Sequence, residues 1–332
     1  MSEIVRESTS LKTLTQRSSL MRRILARLFW AIPTLIFISL VTFTAGELAP
    51  RDAATLKAGD RATKEVVDRI REEMGLNRPF LVRYGEFVWG AVRFDFGQSL
   101  FQPRKVNDIL LEGIGMTGML AICAIVLASL MGILLGGVAA VWHNKVPDRL
   151  AITFSTLGIC IPSFVLAPIL VYVFAVKMEM LPVSWGPDAS SNPIPYLILP
   201  VLILSLRPSA LITRLTRAGM IETLNQDFVR TAFAKGVPFW KVITKHAFRN
   251  TLVPIVTAIG TTFGFLLTGS FILETIFRIP GLGLASIRAI QQSDYPVIQA
   301  TVLLFAVGFI IINLIVDLLL PLIDPRIREG AN

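Results

Sequence analysis

Two histidines and two cysteines in 332 residues leave little material for metal or redox chemistry. His143 and His246 lie far apart in the chain, so there is no histidine-based metal site and no Ser–His–Asp arrangement to argue. Cys123 and Cys160 sit inside apolar runs without metal-ligand spacing, and read as small packing residues. No GxxxxGK[ST] loop is present, which excludes ATP binding by this polypeptide through a P-loop. Charge is scarce too. Charged residues are 17 per cent of the chain, against about a quarter in an ordinary soluble domain.

What replaces charge is a set of long apolar blocks. Six stretches are free of Asp, Glu, Lys and Arg: 28–46, 113–142, 150–176, 189–206, 251–273 and 295–316. Each is long enough to cross a hydrocarbon layer of about 30 Å as a helix. The block 189–206 begins with Ala-Ser-Ser-Asn-Pro and must borrow Ile212 and its neighbours to span, so the limits of that helix are the loosest. The sequence therefore predicts an all-α polytopic membrane protein with six transmembrane helices. The first block follows 27 residues of basic leader and is longer than a signal-peptide core, so it should remain as an anchor.

Lys and Arg placement sets the expected orientation. With a cytoplasmic N-terminus, the inner segments 1–27, 143–149, 207–250 and 317–332 carry a net +10 and the outer ones −1, of a total +9. The predicted topology is N-in/C-in in the bacterial cytoplasmic (inner) membrane. The basic balance then reports topology and excludes no partner but nucleic acid. The expected division is a mobile leader 1–20, then 21–112 with the first span and an extracytoplasmic helical segment. A five-helix core over 113–324 contains the cytoplasmic loop 207–250, and a tail covers 325–332.

Within 47–112, Thr63 is placed to cap a helix ending at Gly75, with Val66, Val67, Ile70 and Met74 on one face. After Pro79, Phe80, Tyr84, Phe87 and Val88 recur at helical spacing with Trp89 beside them, a pattern suited to the membrane interface. Small residues at close-packing spacing mark two spans, Gly132 with Gly136 and Gly260 with Gly264. Around the second pair, Thr261, Thr262, Thr268 and Ser270 offer either packing or a polar wall on a translocation path. Asn313 and Asp317 share a face of the last span, where a structural partner for Asp317 fits better than a proton relay. Glu274 closes the fifth span at the outer interface, with no special role expected.

The loop 207–250 holds the most pointed signal. Its stretch RTAFAKGVPFWKVITKHAFRN has five Lys and Arg residues and no acid. Asp227 and Thr231 are candidate helix caps, a short helix through Ala232 and Ala234 should end at Gly236, and Pro238 prevents its continuation. A second helix follows over FWKVITKHAFRN. Helix, glycine, helix is a shape fit to be gripped by another protein, and the five basic residues would also suit anionic lipid headgroups, a role that can coexist with docking. Tight tethering between spans rules out a DNA-reading role, and the want of partners rules out a catalytic His246.

RTAFAKG, nine residues, then HAFRN resembles the cytoplasmic loop signature of membrane subunits of binding-protein-dependent ABC importers, whose general form is EAA, three residues, Gly, nine residues, I-x-L-P. Arg230-Thr231-Ala232 stands for EAA, Gly236 is in register, and His246-Ala247-Phe248-Arg249 stands for the end. These departures resemble the dipeptide/oligopeptide permease branch. So do GLNRPFLVRYGEF at 75–87, FDFGQSLF at 94–101, IPGLG at 279–283, DYPVIQ at 294–299 and DPRIR at 324–328. The long first outer loop resembles the first permease subunit of the pair.

The resemblance implies a type I ABC importer transmembrane fold without enzymatic activity of its own. It implies a coupling loop carried by Asp227, Arg230, Thr231, Ala232, Ala234, Lys235, Gly236 and His246. It also implies partners: a second homologous permease, two ABC ATPase subunits that bind ATP and Mg, an extracytoplasmic substrate-binding protein and the lipid bilayer. No cofactor is expected in this chain. The expected cargo is a di- or oligopeptide, with a nickel complex, glutathione or an oligosaccharide as the alternative. A proton-coupled secondary transporter fits less well, because apart from Asp317 no acid lies inside a span and no internal repeat is visible.

Overall fold

The computed structural model describes residues 2–48, 53–59 and 61–323. The motif at 324–328 and the tail 325–332 lie outside the described residues. Among the described residues the regular structure is helical: α1 (Ser2–Glu47), α2 (Ala53–Ala58), α3 (Lys64–Glu73), α4 (Phe80–Val92), α5 (Val106–Val141), α6 (Val146–Cys160), α7 (Ser163–Leu170), α8 (Ile194–Leu224), α9 (Asp227–Ala234), α10 (Phe239–Lys241), α11 (Phe248–Gly269), α12 (Phe271–Phe277), α13 (Leu282–Gln292) and α14 (Tyr295–Ile323). Residues 2–20, expected to be a mobile leader, have helical backbone continuous with the first span. No glycine or proline precedes Pro33 to interrupt it.

Among the described residues five helices are long and apolar enough to cross a membrane, with a sixth span if a bent pair counts as one. The expected single span 150–176 is broken: α6 and α7 meet at 102°. Ile161, preceding Pro162, is forced into extended backbone (φ −88, ψ 117), since the proline ring disfavours the helical region for its neighbour. Beyond Pro168, which lacks an N–H, the chain widens into a π-helical stretch, Val171–Lys177.

Helix α8 resolves the loosest span. It runs 31 residues to Leu224, about 46 Å at 1.5 Å per residue, and so outruns the hydrocarbon layer. Much of the expected loop 207–250 is therefore the end of a rigid helix. The small-residue pairs are packing seams. A Cβ on Gly132 would stand 2.6 Å from the Ile212 Cβ of α8, and one on Gly136 would stand 2.6 Å from the Thr213 carbonyl oxygen. Gly260 and Gly264 serve α14 in the same way, against Val316 and Phe309. Close approach of backbones multiplies dispersion contacts where no hydrophobic drive separates helix from lipid. Cys123 and Cys160 face outward from the chain instead of filling its core. The outside of a membrane bundle is apolar, so a thiol is at home there.

The segment between α1 and α5 follows its sequence pattern. Thr63 is the N-cap of α3, although no side-chain cap bond forms, and Gly75 takes φ +66 just beyond its end. The aromatic face of α4 does not lie free at an interface. Phe43 of α1 contacts Phe80, Tyr84 and Phe87 at ring separations of 5.4, 5.6 and 5.5 Å.

At the other end of the bundle, Asp317 of α14 pairs with Arg27 of α1 at 2.7 Å, the structural partner its position called for. Asn313 donates to the Phe309 carbonyl of its own helix at 2.8 Å.

Candidate functional site

Helix α9 hangs from the end of α8 by a two-residue turn, Asn225–Gln226. Gln226, in extended backbone, takes the N-cap position expected for Asp227. Asp227 falls in the first turn instead, where a carboxylate favours the helix dipole, and its side chain stands 3.7 Å from Arg230. The Thr231 hydroxyl donates to the Asp227 carbonyl oxygen at 2.9 Å and so is not a cap.

The C-terminal end of α9 is a Schellman turn. Gly236 N–H donates to Phe233 O at 2.9 Å and Val237 N–H to Ala232 O at 3.1 Å, with Gly236 at φ +76. Pro238 then starts α10, which passes through a π-helical turn, Val242–Ala247, into α11. His246 sits half-buried in that turn.

One side of α9 packs inward. Val229, Ala232 and Val242 are buried together, with Leu224 and Val237 against them. Ala232 therefore serves the fold, whereas Ala234 is exposed. The other side is open and was not foreseen as aromatic. Phe228, Phe233, Phe239 and Trp240 are all exposed. Phe233 stacks on Phe239 at 6.3 Å, and Phe239 meets Trp240 edge-on at 5.4 Å. Exposed Arg230, Lys235, Lys241 and Lys245 fringe this surface. Their spacing in RTAFAKGVPFWKVITK was the available signal: the aromatics alternate with basics through a turn.

Behind α9, the adjoining end of α8 is clamped. Asp148 is buried and receives two bonds from Arg217, Nε at 2.6 Å and an Nη at 2.8 Å, plus the backbone N–H of Asn144 at 2.8 Å. His143 Nδ1 lies 3.1 Å from the Arg217 guanidinium. The Ser155 hydroxyl adds a bond to the Ala210 carbonyl oxygen at 3.0 Å. A planar guanidinium matched to a carboxylate in this way fixes geometry as well as charge. The pair joins the first turn of α6 to α8 ten residues before α9 begins.

The residues considered for a translocation wall divide. Thr261 and Thr262 are half-buried, and Thr261 donates to the Thr257 carbonyl oxygen at 3.0 Å. Thr268 donates to the Phe265 carbonyl oxygen at 3.1 Å. Ser270 lines no open wall: it is fully buried and donates to Glu274 Oε1 at 2.6 Å. Glu274, for which no role was expected, is fully buried and gathers further donors. Thr117 Oγ1 of α5 reaches Oε1 at 2.9 Å and the Leu284 N–H reaches Oε2 at 3.1 Å. Thr117 in turn accepts the Leu282 N–H at 2.9 Å. The IPGLG stretch wraps this carboxylate closely enough that a Cβ on Gly281 would lie 2.3 Å from Oε2.

A second tie at that end joins two of the motif stretches. Buried Asp294 accepts the Ser99 hydroxyl and, at 3.2 Å, the Leu100 N–H. A cleft of about 150 Å³ beside these ties is lined by Arg104, Glu112, Gly113, Gly281 and Arg288 among others. Among the described residues, no group of His, Cys, Asp and Glu is arranged to hold a metal ion.

The profile of the family described as "Binding-protein-dependent transport system inner membrane component" matches residues 132–329, and its N-terminal companion matches residues 20–117. The chain is similar to the glutathione transport system permease protein GsiC of Escherichia coli (strain K12). The two are 39% identical over 305 residues, covering 92% of this chain and 98% of the relative. The proteins of the same name from Shigella dysenteriae serotype 1 (strain Sd197) and Shigella flexneri serotype 5b (strain 8401) match at the same identity and coverage.

Proposed function

The chain belongs to the family of binding-protein-dependent transport system inner membrane components, the permeases of ABC importers, and from that membership we propose how its parts divide the work. Helix α9 with Gly236 and α10 is the docking element for a cytoplasmic ATPase subunit. Its exposed aromatic cluster supplies contact area, and the basic fringe of Arg230, Lys235, Lys241 and Lys245 meets acids on the partner. The ATPases carry ATP and Mg, and this chain contributes no catalytic group. A second homologous permease completes the translocation path, and an extracytoplasmic binding protein delivers the cargo to the opposite end of the bundle. Thr261, Thr262 and Thr268 are the residues proposed to face that path. The N-terminus and C-terminus are cytoplasmic in this reading.

The cargo class we propose is a short peptide, glutathione included. Support for it comes from the relatives' printed name, since glutathione is itself a small peptide, and from the peptide-permease motifs. A nickel complex is less well supported, because the described residues offer no metal-binding cluster.

The observation that carries the docking assignment is the open aromatic face of α9–α10, held rigidly on an inward face of Val229, Ala232 and Val242. The test is reconstitution of the whole importer in vesicles with ATP inside. Replacing Phe233 and Trp240 with Ser should leave membrane insertion intact, weaken co-purification of the ATPases at least tenfold, and abolish uptake. Full uptake by that variant would remove α9–α10 from the docking role. Uptake by the isolated chain under a proton gradient would overturn the division of labour.

A further inference from the structure

We propose that α4 is embedded in the leaflet at the far end of α1 from Arg27, with Leu81, Val82, Trp89 and Val92 solvated by lipid. The first observation is depth. The Tyr84 hydroxyl donates to the Ile36 carbonyl oxygen at 3.2 Å and lies 2.9 Å from Ser39 Oγ. Ile36 is eight residues past Leu28 and ten before Gly46, near the middle of the charge-free run that α1 carries through the bilayer. At 1.5 Å per residue, that places it about 15 Å below the end of the run. A helix whose tyrosine reaches that level cannot stand in the water above the membrane.

The second observation is what α4 leaves uncovered. Its aromatic face, Phe80, Tyr84 and Phe87, is spent on Phe43 of α1. On a helical projection Leu81, Val82, Gly85, Trp89 and Val92 share a separate sector of about 100°. Leu81, Trp89 and Val92 are 77%, 58% and 67% exposed. Large apolar side chains gathered on one helix face at bilayer depth call for an apolar solvent.

Charge is the third. Between that sector and the aromatic face lie Arg83 and Glu86, and both are paired, Arg83 with Glu47 and Glu86 with Arg78 at 2.6 Å. Arg93, at the end of the helix, lies with its guanidinium carbon 4.3 Å from the centre of the Trp89 ring. Paired or terminal charges, with a tryptophan at the boundary, suit the interface between headgroups and chains. The inference needs α1 to span the membrane and is independent of the docking role of α9.

The test uses the full importer reconstituted in dioleoylphosphatidylcholine vesicles, with and without phosphatidylcholine brominated on its acyl chains in both leaflets. The Trp89 contribution is the emission of the wild type minus that of W89F. It should fall at least twofold in brominated vesicles, whichever way the protein is inserted. An unquenched difference signal would overturn the proposal, either as a red-shifted tryptophan in water or as a blue-shifted one under a neighbouring subunit. If W89F fails to assemble, single cysteines at 81, 86 and 92 in a C123S/C160S background decide it. A membrane-impermeant maleimide should label E86C at least tenfold faster than L81C and V92C, and equal labelling of the three would overturn it.

Discussion

Gly236 is the residue on which the end of α9 turns. Its φ of +76 lies in the left-handed region that costs any side chain with a Cβ about 1–2 kcal/mol. Space is not the constraint, because a Cβ there would meet nothing within 4 Å. The expected order therefore follows backbone preference and not size. Gly236→Asn should keep most of the initial uptake rate per assembled complex, Gly236→Ala should lose part of it, and Gly236→Val should lose tenfold or more at unchanged membrane levels. Uptake by the valine variant equal to wild type would show that the Schellman turn is dispensable. Glu274 teaches the opposite lesson about legibility. Its donors come from Thr117, Ser270 and Leu284, so a residue that looked like a span terminus is the centre of a buried polar knot.

At the scale of elements, α8 runs from the apolar bundle to α9, the helix proposed to dock. Its close seam with α5, at Gly132 and Gly136, lets the two move as one body. The Asp148–Arg217 pair extends that body to the start of α6. Asp148→Asn should lower the thermal stability of the purified complex by about 1–3 kcal/mol, below the cost of breaking a deeply buried pair because Arg217 is partly exposed. Arg217→Lys, which keeps the charge but not the two-point geometry, should fall between. The check is the midpoint of heat unfolding in detergent, and an Asn variant as stable as wild type would show the clamp to be idle. The length of α8 beyond Ile212 was not legible from charge, which begins at Arg207 well before the helix ends. A helix whose hydrogen bonds are already closed has no reason to stop at the membrane surface.

At the scale of the whole molecule, the chain is asymmetric in charge, and the aromatic face of α9–α10 and the Ser99–Asp294 tie lie at opposite ends of the bundle. If the basic segments are cytoplasmic, a phosphatase fused after Gly59 should be active only through export, and one fused after Lys235 should be inactive. The reverse pattern would invert the molecule and move α9 out of reach of any cytoplasmic ATPase. The blocks that set this topology were legible in the sequence, as were α3, the stop at Gly236 and the small-residue seams. The break at Pro162 was legible in principle, since the residue before proline avoids helix, but counting uncharged residues is blind to backbone.

By itself, then, the sequence determined that the chain is helical and membrane-spanning, because helix formation and burial in lipid depend on neighbours three or four residues away and on composition. Only the tertiary structure decided which side of α9 is open, that Ala232 faces inward, and that α4 lies against the last dozen residues of α1. It alone joined Ser99 to Asp294 and Arg27 to Asp317. Those outcomes depend on which distant residue arrives opposite, and a local pattern carries no record of its partner.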